Sequence, residues 1–274
     1  MVASPHLSAL IDIACEAGRV VMEVYADAEC GERVKADASP VTEADLRGEA
    51  MILAGLARVF PGVPVVAEEE AAAGRIPETV EGRFLLVDAL DGTREFLARN
   101  GEFTVNIALV EDGRPVMGVV HAPAFGLTFA GSADGAVMRI GEGGVLEPIH
   151  GRQVGLVREA LLSRSRGVSD ETRSWLARHS VEKITLCGSS LKFCRLACGE
   201  ADLYPCLGPT MEWDTAAGQA VLEAAGGSVL GLDGLPVRYN KRGRREEKDF
   251  LNAPFVAYGD PSLAMAASEG TGSG

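Results

Sequence analysis

A chain of 274 residues can bury a core large enough for one big domain or two closely joined halves. Its 47% hydrophobic and 24% charged residues exclude the low-hydrophobicity composition of a disordered chain. A formal net charge of −13 argues against coating a polyanion, so no nucleic-acid polymer is expected as a partner, whereas a small phosphate ester stays open to an acidic chain whose metal ions invert the local sign of the site.

Apolar residues at Leu7, Leu10, Ile11, Ala14, Val21 and Val24 recur at helical spacing and predict an amphipathic helix over 6–25. The amino terminus has no basic n-region, and Asp12 and Glu16 interrupt its apolar stretch, so no secretory signal is expected. Ser39-Pro40 breaks the chain. Thr42-Glu43-Ala44-Asp45 then has the form of a helix start, and the helix should run to about Arg58 before Pro61-Gly62 ends it. Residues 63–67 read as a short strand feeding Glu68-Glu69-Glu70. Phe84-Leu85-Leu86-Val87 is apolar throughout, as in a sheet covered on both faces. Strands over 104–110 and 115–121 flank Asp112-Gly113, a hairpin signal, and a second hairpin is expected around Asp134-Gly135.

Beyond about residue 155 the texture changes to alternating strands and helices. Strands are expected over 160–163, 183–187 and 201–204, and helices over 169–178, 191–198 and 213–225. Gly226-Gly227 should cap the last helix, with a strand after it. The organisation expected is an N-terminal α+β half over 1–155, a C-terminal α/β half over 156–268 and a disordered tail over 269–274. No run of about 18 apolar residues occurs, so no membrane span is expected. Oligomeric state is not written in these patterns.

Six cysteines lie at 15, 30, 187, 194, 198 and 206, with no C-x-x-C pair. Cys194 and Cys198 share a helical face and offer a metal-holding pair, against the commoner alternative of buried free thiols. The pattern is that of a reduced, cytoplasmic protein. Peripheral association with the inner membrane face is left open, because no basic amphipathic helix is evident.

Several acids carry chemistry only in combination. In Asp88-Ala89-Leu90-Asp91-Gly92-Thr93 a buried strand ends on one carboxylate, and a second follows in a turn that Gly92 allows. Strand ends of α/β proteins collect ligands, yet the same residues read equally as an ordinary turn. Glu68-Glu69-Glu70 alone reads as a solvated run, Asp45 and Asp214 as helix caps, and Lys192 as part of a solvated helix face.

Taken in order, Ser39-Pro40-Val41-Thr42 with Asp45, then Glu68-Glu69, then Asp88-Ala89-Leu90-Asp91-Gly92-Thr93, then Trp213-Asp214-Thr215-Ala216-Ala217-Gly218 resemble the signature of the lithium-sensitive inositol-phosphatase superfamily. The resemblance covers nearly the whole chain, to about Asp260. Arg94-Glu95-Phe96, the stretch 100–107, the stretch 188–194, Leu203-Tyr204-Pro205 and Gly208-Pro209-Thr210 are similar to its CysQ-type branch, the 3′(2′),5′-bisphosphate nucleotidases.

That resemblance implies a layered αβαβα sandwich of the inositol monophosphatase / fructose-1,6-bisphosphatase type. It implies two or three Mg²⁺ ions held by Glu68, Asp88, Asp91, Asp214 and the main-chain carbonyl of Leu90. Asp45 and Thr93, with Glu68, would orient and activate the attacking water. The amides of Gly92 and Thr93 would hold the scissile phosphate, with Asp214 also at the substrate, and Ser189 and Lys192 would contact a second phosphate. The implied reaction takes a small phosphorylated nucleotide: the 3′-phosphate leaves adenosine 3′,5′-bisphosphate to give AMP and phosphate, and the 3′-phospho-5′-phosphosulfate relative is a further substrate. Inhibition by Li⁺ follows from the same resemblance. An inositol monophosphatase or broad sugar phosphatase is the alternative, and a structural cation-binding protein is the non-enzymatic one.

Elementary electrostatics supports grouping the acids. Two carboxylates about 4 Å apart repel by about 4 kcal/mol at an effective dielectric of about 20, so converging acids need protons or cations. All-oxygen ligation suits Mg²⁺ over Zn²⁺. None of His6, His121, His150 or His179 sits in a motif with a base and an orienting acid, so a phosphohistidine route is not expected. Ala89 stands where many members of the superfamily have Pro, which alters turn stiffness only. Cys206 stands where the CysQ-type pattern carries an Arg that grips the second phosphate. The basic stretch Lys241-Arg242-Gly243-Arg244-Arg245 offers either a replacement contact or, with Glu246 and Glu247, a surface charge cluster.

Overall fold

Ser4 caps α1 (Pro5–Ala26): its hydroxyl accepts the Leu7 amide at 3.2 Å, and Pro5 occupies the first turn, where its missing N–H removes no hydrogen bond. The computed structural model describes residues 3–27, 33–34, 40–78, 82–155, 158–244 and 248–264. The tail expected over 269–274 and the join expected at 155–156 fall on or beside residues outside that description. A two-residue ribbon of β1 (Arg33–Val34) and β2 (Pro40–Val41) leads to α2 (Glu43–Val59). Thr42 and Asp45 form the capping box that starts α2.

β3 (Val65–Ala67) and the five-residue α3 (Glu68–Ala72) follow, then β4 (Arg83–Asp91) and α4 (Thr93–Leu97). Next come β5 (Thr104–Glu111), β6 (Arg114–Ala122), β7 (Leu127–Ser132), β8 (Gly135–Ile140) and β9 (Glu147–Pro148). Both expected hairpins form, and Asp112 and Gly113 take φ of 49° and 73° in the tight turn. The later part holds β10 (Arg158–Ser163), α5 (Asp170–Arg178), β11 (Val181–Cys187), α6 (Leu191–Ala197) and β12 (Leu203–Cys206). A 3₁₀ turn over Glu212–Asp214, α7 (Ala216–Ala224), β13 (Ser228–Gly231) and β14 (Phe255–Tyr258) complete it.

The larger sheet has seven strands in sequence order, β3 to β9, antiparallel except for the β3–β4 pair. The smaller has the order β11-β10-β12-β14-β13. Strand alternation sends Leu85, Val87, Ile107 and Leu109 into one core with α1 and α2, and Phe84, Leu86, Ala108 and Val110 into another with α6 and α7. That is why β4 reads as continuously apolar. Residues of β12 and β14 close the second core from the far side, and α5 packs its Trp175 and Leu176 on the outer face of the smaller sheet. The layers therefore run helix, sheet, helix, sheet, helix, the sandwich expected from the motifs. The small residues of α7 serve this packing: a Cβ at Gly118 of β6 would stand 2.5 Å from the Ala217 carbonyl. No described helix is long and apolar enough to cross a membrane.

Several expected bounds shift by a residue or two, and two of the changes have a visible cause. The strand expected over 201–204 is β12, two residues later, because Asp202 instead turns its carboxylate to Arg152 and the Glu159 amide. The helix expected over 213–225 breaks at Thr215, so Asp214 lies in the 3₁₀ turn rather than capping α7.

Candidate active site

The placement of Asp91 depends on an irregularity in β4. In a regular strand, residues three apart face opposite sides of the sheet. Here Asp88 pairs with Asn106 and Asp91 with Thr104, so three steps on β4 match two on β5. The extra residue is a bulge, and it turns both carboxylates to one side. Gly92 then takes φ of 94°, which a side chain would disfavour, and a Cβ there would press on the Glu102 carbonyl and Ser189 at 3.2 Å.

Carboxylate oxygens of Glu68, Asp88 and Asp214 lie within 4.8 Å of one another. Asp91 stands beside this trio. Burial, and then the charges of Glu68, Asp91 and Asp214, hold the Asp88 carboxyl well above the ordinary carboxylate range. Burial, then Asp91 and Glu68, do the same to Asp214, although the Met211 amide donates to it at 2.8 Å. Burial also raises Asp91, while Lys192 and the Ser190 donors pull it back. Closely spaced acids that resist ionisation are what a bound cation would relieve. With the Leu90 carbonyl nearby, the donor set is all oxygen and fits a hard divalent ion.

Glu68 heads α3, and its position is secured by a residue that the sequence reading passed over. Glu49 is buried, one helical turn beyond Asp45 on α2, and its two carboxylate oxygens accept the Glu69 and Glu70 amides at 2.8 and 2.9 Å. Burial pushes the Glu49 carboxyl up to about 7, against those two donors. The four-residue spacing of two acids on a helix that starts at the site was the available signal.

Asp45 caps α2 and also reaches Thr93. One oxygen accepts the Thr42 amide and hydroxyl at 2.6 and 2.7 Å, and the other accepts the Thr93 hydroxyl at 3.4 Å. The Thr93 hydroxyl also stands 3.4 Å from the Leu90 carbonyl. Ser190 ties the loops together: its amide donates to Asp91 at 2.7 Å, its hydroxyl donates to the Asp214 carbonyl at 2.6 Å, and the Asn106 amide donates to that hydroxyl at 2.9 Å. Both lie in stretches that carry the CysQ-type resemblance, 188–194 and 100–107, but neither has a role assigned from sequence. Ser189 beside it adopts φ of 45°, a strained conformation for a serine.

A cavity of about 600 Å³ opens on this cluster. Glu68, Asp91 and Asp214 line it with Gly92 and Thr93, and Ser189 and Lys192 line it as well. Asp45, Asp88 and Leu90 lie buried behind that wall. Lys192 is no part of a solvated face: it is 4% exposed, stands 5.0 Å from the Tyr204 ring centre, and donates to the Ser189 and Cys187 carbonyls. Cys206 lines the cavity as a buried thiol whose pKa burial raises. Arg166 also lines it and was not singled out from sequence.

Other candidates fall away. Cys194 and Cys198 are free thiols, and no third ligand joins them among the described residues. Lys241 pairs with the fully buried Glu212 at 2.7 Å, Arg242 donates to the Pro77 carbonyl and Arg244 to the Leu251 carbonyl. The described part of the basic stretch is thus internal scaffolding and lines no part of the cavity, and Arg245, Glu246 and Glu247 lie outside the described residues.

A five-layer α/β sandwich with carboxylates converging at strand and helix ends, where they could hold a metal ion, is the architecture of the inositol-phosphatase type. The model of the inositol monophosphatase family matches residues 3–257, and the chain belongs to that family. It is 42% identical over 251 residues to the 3′(2′),5′-bisphosphate nucleotidase CysQ of Escherichia coli K12, covering 91% of this chain and 98% of the relative. The crystal structure of CysQ from Bacteroides thetaiotaomicron superposes with a TM-score of 0.75 at 36% identity, over 92% of this chain and 96% of that one. An inositol monophosphatase from Zymomonas mobilis superposes with a TM-score of 0.74 at 26% identity, over 96% of each chain.

Proposed function

We propose that the chain is a Mg²⁺-dependent 3′(2′),5′-bisphosphate nucleotidase that releases the 3′-phosphate of adenosine 3′,5′-bisphosphate, leaving AMP. The observation that carries this reading is a single cavity lined both by members of the acid cluster and by Lys192. Cations held by the acids would face a reacting phosphate, and Lys192 would face a second. The likeness to the CysQ nucleotidases over nearly the full length of both chains supports the same substrate class. A 5′-phosphosulfate in place of the 5′-phosphate belongs to the same reading.

Glu68, Asp88, Asp91, Asp214 and the Leu90 carbonyl would hold two or three Mg²⁺ ions. When bound, these ions supply Lewis acidity to the phosphoryl oxygens, to water and to the departing alkoxide. The chain's own part is positioning and proton transfer. Thr93 and Asp45, joined by a hydroxyl–carboxylate contact, would take the proton of a water placed with the help of Glu68. The amides of Gly92 and Thr93 at the start of α4 would hold the scissile phosphate, and Asp214 would meet the substrate beside the metal. Ser189 and Lys192 would contact the phosphate that stays. We take 1–155 and 156–268 as the two halves bringing these groups together, with most ligands in the first. The free thiols described here support a reducing, cytoplasmic setting.

Cys206, a thiol where a cation would favour a second phosphate, makes an inositol or sugar monophosphatase the second reading. Phosphate release from adenosine 3′,5′-bisphosphate, inositol 1-phosphate, fructose 1,6-bisphosphate and AMP, with and without Mg²⁺, separates the two. The bisphosphate should lead in kcat/KM and AMP should be inert. Preference for inositol 1-phosphate would overturn the nucleotidase reading.

A further inference from the structure

We propose that Arg166, on the turn between β10 and α5, grips the phosphate that is not cleaved, supplying from a different element the cation that Cys206 lacks. The inference rests on the bisphosphate reading above.

Away from the acids the cavity is lined by hydroxyls such as Ser165, Ser169 and Thr210, but without Arg166 its one cation there among the described residues is Lys192. Lys192 has three N–H groups and directs two of them at the Ser189 and Cys187 carbonyls. The Cys206 thiol faces the Gly208 carbonyl at 3.7 Å. A phosphate there would meet neutral hydroxyls and a single ammonium hydrogen as its charged donor.

Two arginines follow β10, and they differ in what they do. Arg164 is held in an ion pair: it donates to both Glu102 oxygens at 2.6 and 2.7 Å and to the Leu186 carbonyl at 2.8 Å. Arg166 lines the cavity with no ion pair or hydrogen bond to any described residue, so its five donors are unspent. Unpartnered arginines are common on surfaces, and what sets this one apart is where it lies. Its Nη1 stands 3.1 Å from the point a Cβ on Gly208 would occupy, so the guanidinium rests on the segment following Cys206, in space that glycine leaves. Its charge acts on Cys206, Tyr204 and Asp214, which places it over the β12 end of the cavity and within reach of the reacting end. Arg94 also lines the cavity, but it follows Thr93 at the acid end and its charge is not among those acting on Cys206 or Tyr204. A planar fork of N–H donors matches two phosphate oxygens at once, which an ammonium cannot do.

The experiment compares adenosine 3′,5′-bisphosphate with 3′-AMP, which keeps the reacting group and lacks the second phosphate. Arg166→Ala should raise KM for the bisphosphate by about tenfold to a hundredfold, with kcat nearly constant, because this phosphate is bound alike in ground and transition states. The KM for 3′-AMP should hold, and Arg166→Lys should recover only part of the loss. An equal KM rise on both substrates, or a rise on neither, overturns the proposal. If the wild-type protein cleaves neither nucleotide, it is the nucleotidase reading that has failed. Inositol 1,4-bisphosphate against inositol 1-phosphate then reads Arg166 in the same way: a loss confined to the bisphosphate supports the contact, and a parallel or absent loss removes it.

Discussion

Replacing Asp88 with Asn probes the acid cluster with little change of shape. The Asp88 Oδ1 accepts the Leu90 amide at 2.9 Å, and the carbonyl oxygen of Asn can keep that bond and so the bulge. One of three carboxylates within 4.8 Å is neutralised. At that separation and an effective dielectric of about 20, each pair of charges repels by about 3.5 kcal/mol. The metal-free protein avoids most of this by holding protons on acids whose pKa is already raised, so Asp88→Asn should leave its Tm level or a few degrees higher. Metal binding tells the other half. At about a hundredfold excess over Kd, Mg²⁺ should stabilise the wild type by about 2.7 kcal/mol. At this chain length that corresponds to about 5–10 °C, and the variant should keep less than half of it. Turnover should fall by about a hundredfold or more. Differential scanning calorimetry with and without MgCl₂, paired with phosphate release, reads all three. Unchanged turnover, or a Mg²⁺ shift equal to that of the wild type, would refute the reasoning; Asp214→Asn, which keeps the Met211 contact, should behave alike.

Glu49→Gln removes one of the two acceptors that fix α3, and losing a hydrogen bond to a charged group costs about 1.5–3 kcal/mol. The Mg²⁺ concentration for half-maximal rate should rise several-fold while kcat at saturating Mg²⁺ changes less; a lowered Tm with an unmoved Mg²⁺ dependence would leave Glu49 a purely structural residue. Burial lowers His121 from 6.5 to about 4, whereas the unfolded chain takes up that proton near 6.5. Stability should therefore fall as pH drops through that interval, by up to about 3 kcal/mol, and His121→Asn should flatten the corresponding part of the Tm profile. LiCl should depress turnover more than NaCl at equal ionic strength, and equal effects would remove lithium sensitivity from the expected properties.

The local code of the sequence determined much of this protein. Thr42 and Asp45 specify a capping box by spacing alone, Asp112-Gly113 specifies its hairpin by the φ it tolerates, and the apolar run of β4 specifies a strand covered on both faces. The acidic motifs, read together, pointed to the acids that the fold brings to one place. What only the tertiary structure decided depends on partners distant in the chain. The bulge that turns Asp91 to the side of Asp88 is set by pairing with β5. The burial of Lys192 is set by Tyr204 and the loop carbonyls rather than by its own helix. Lys241 reads as one cation in a charged run until Glu212 meets it, buried, 29 residues away in sequence. Glu49 and Arg166 carry no motif, and Ser190 has no role legible in its own stretch, because each matters through neighbours that folding delivers: the amides of α3, the space beside Gly208, and the loops of Asp91 and Asp214. Periodicity and turn chemistry act over a few residues, whereas burial and electrostatic environment are sums over everything the chain packs alongside, and those sums exist only once the layers have closed.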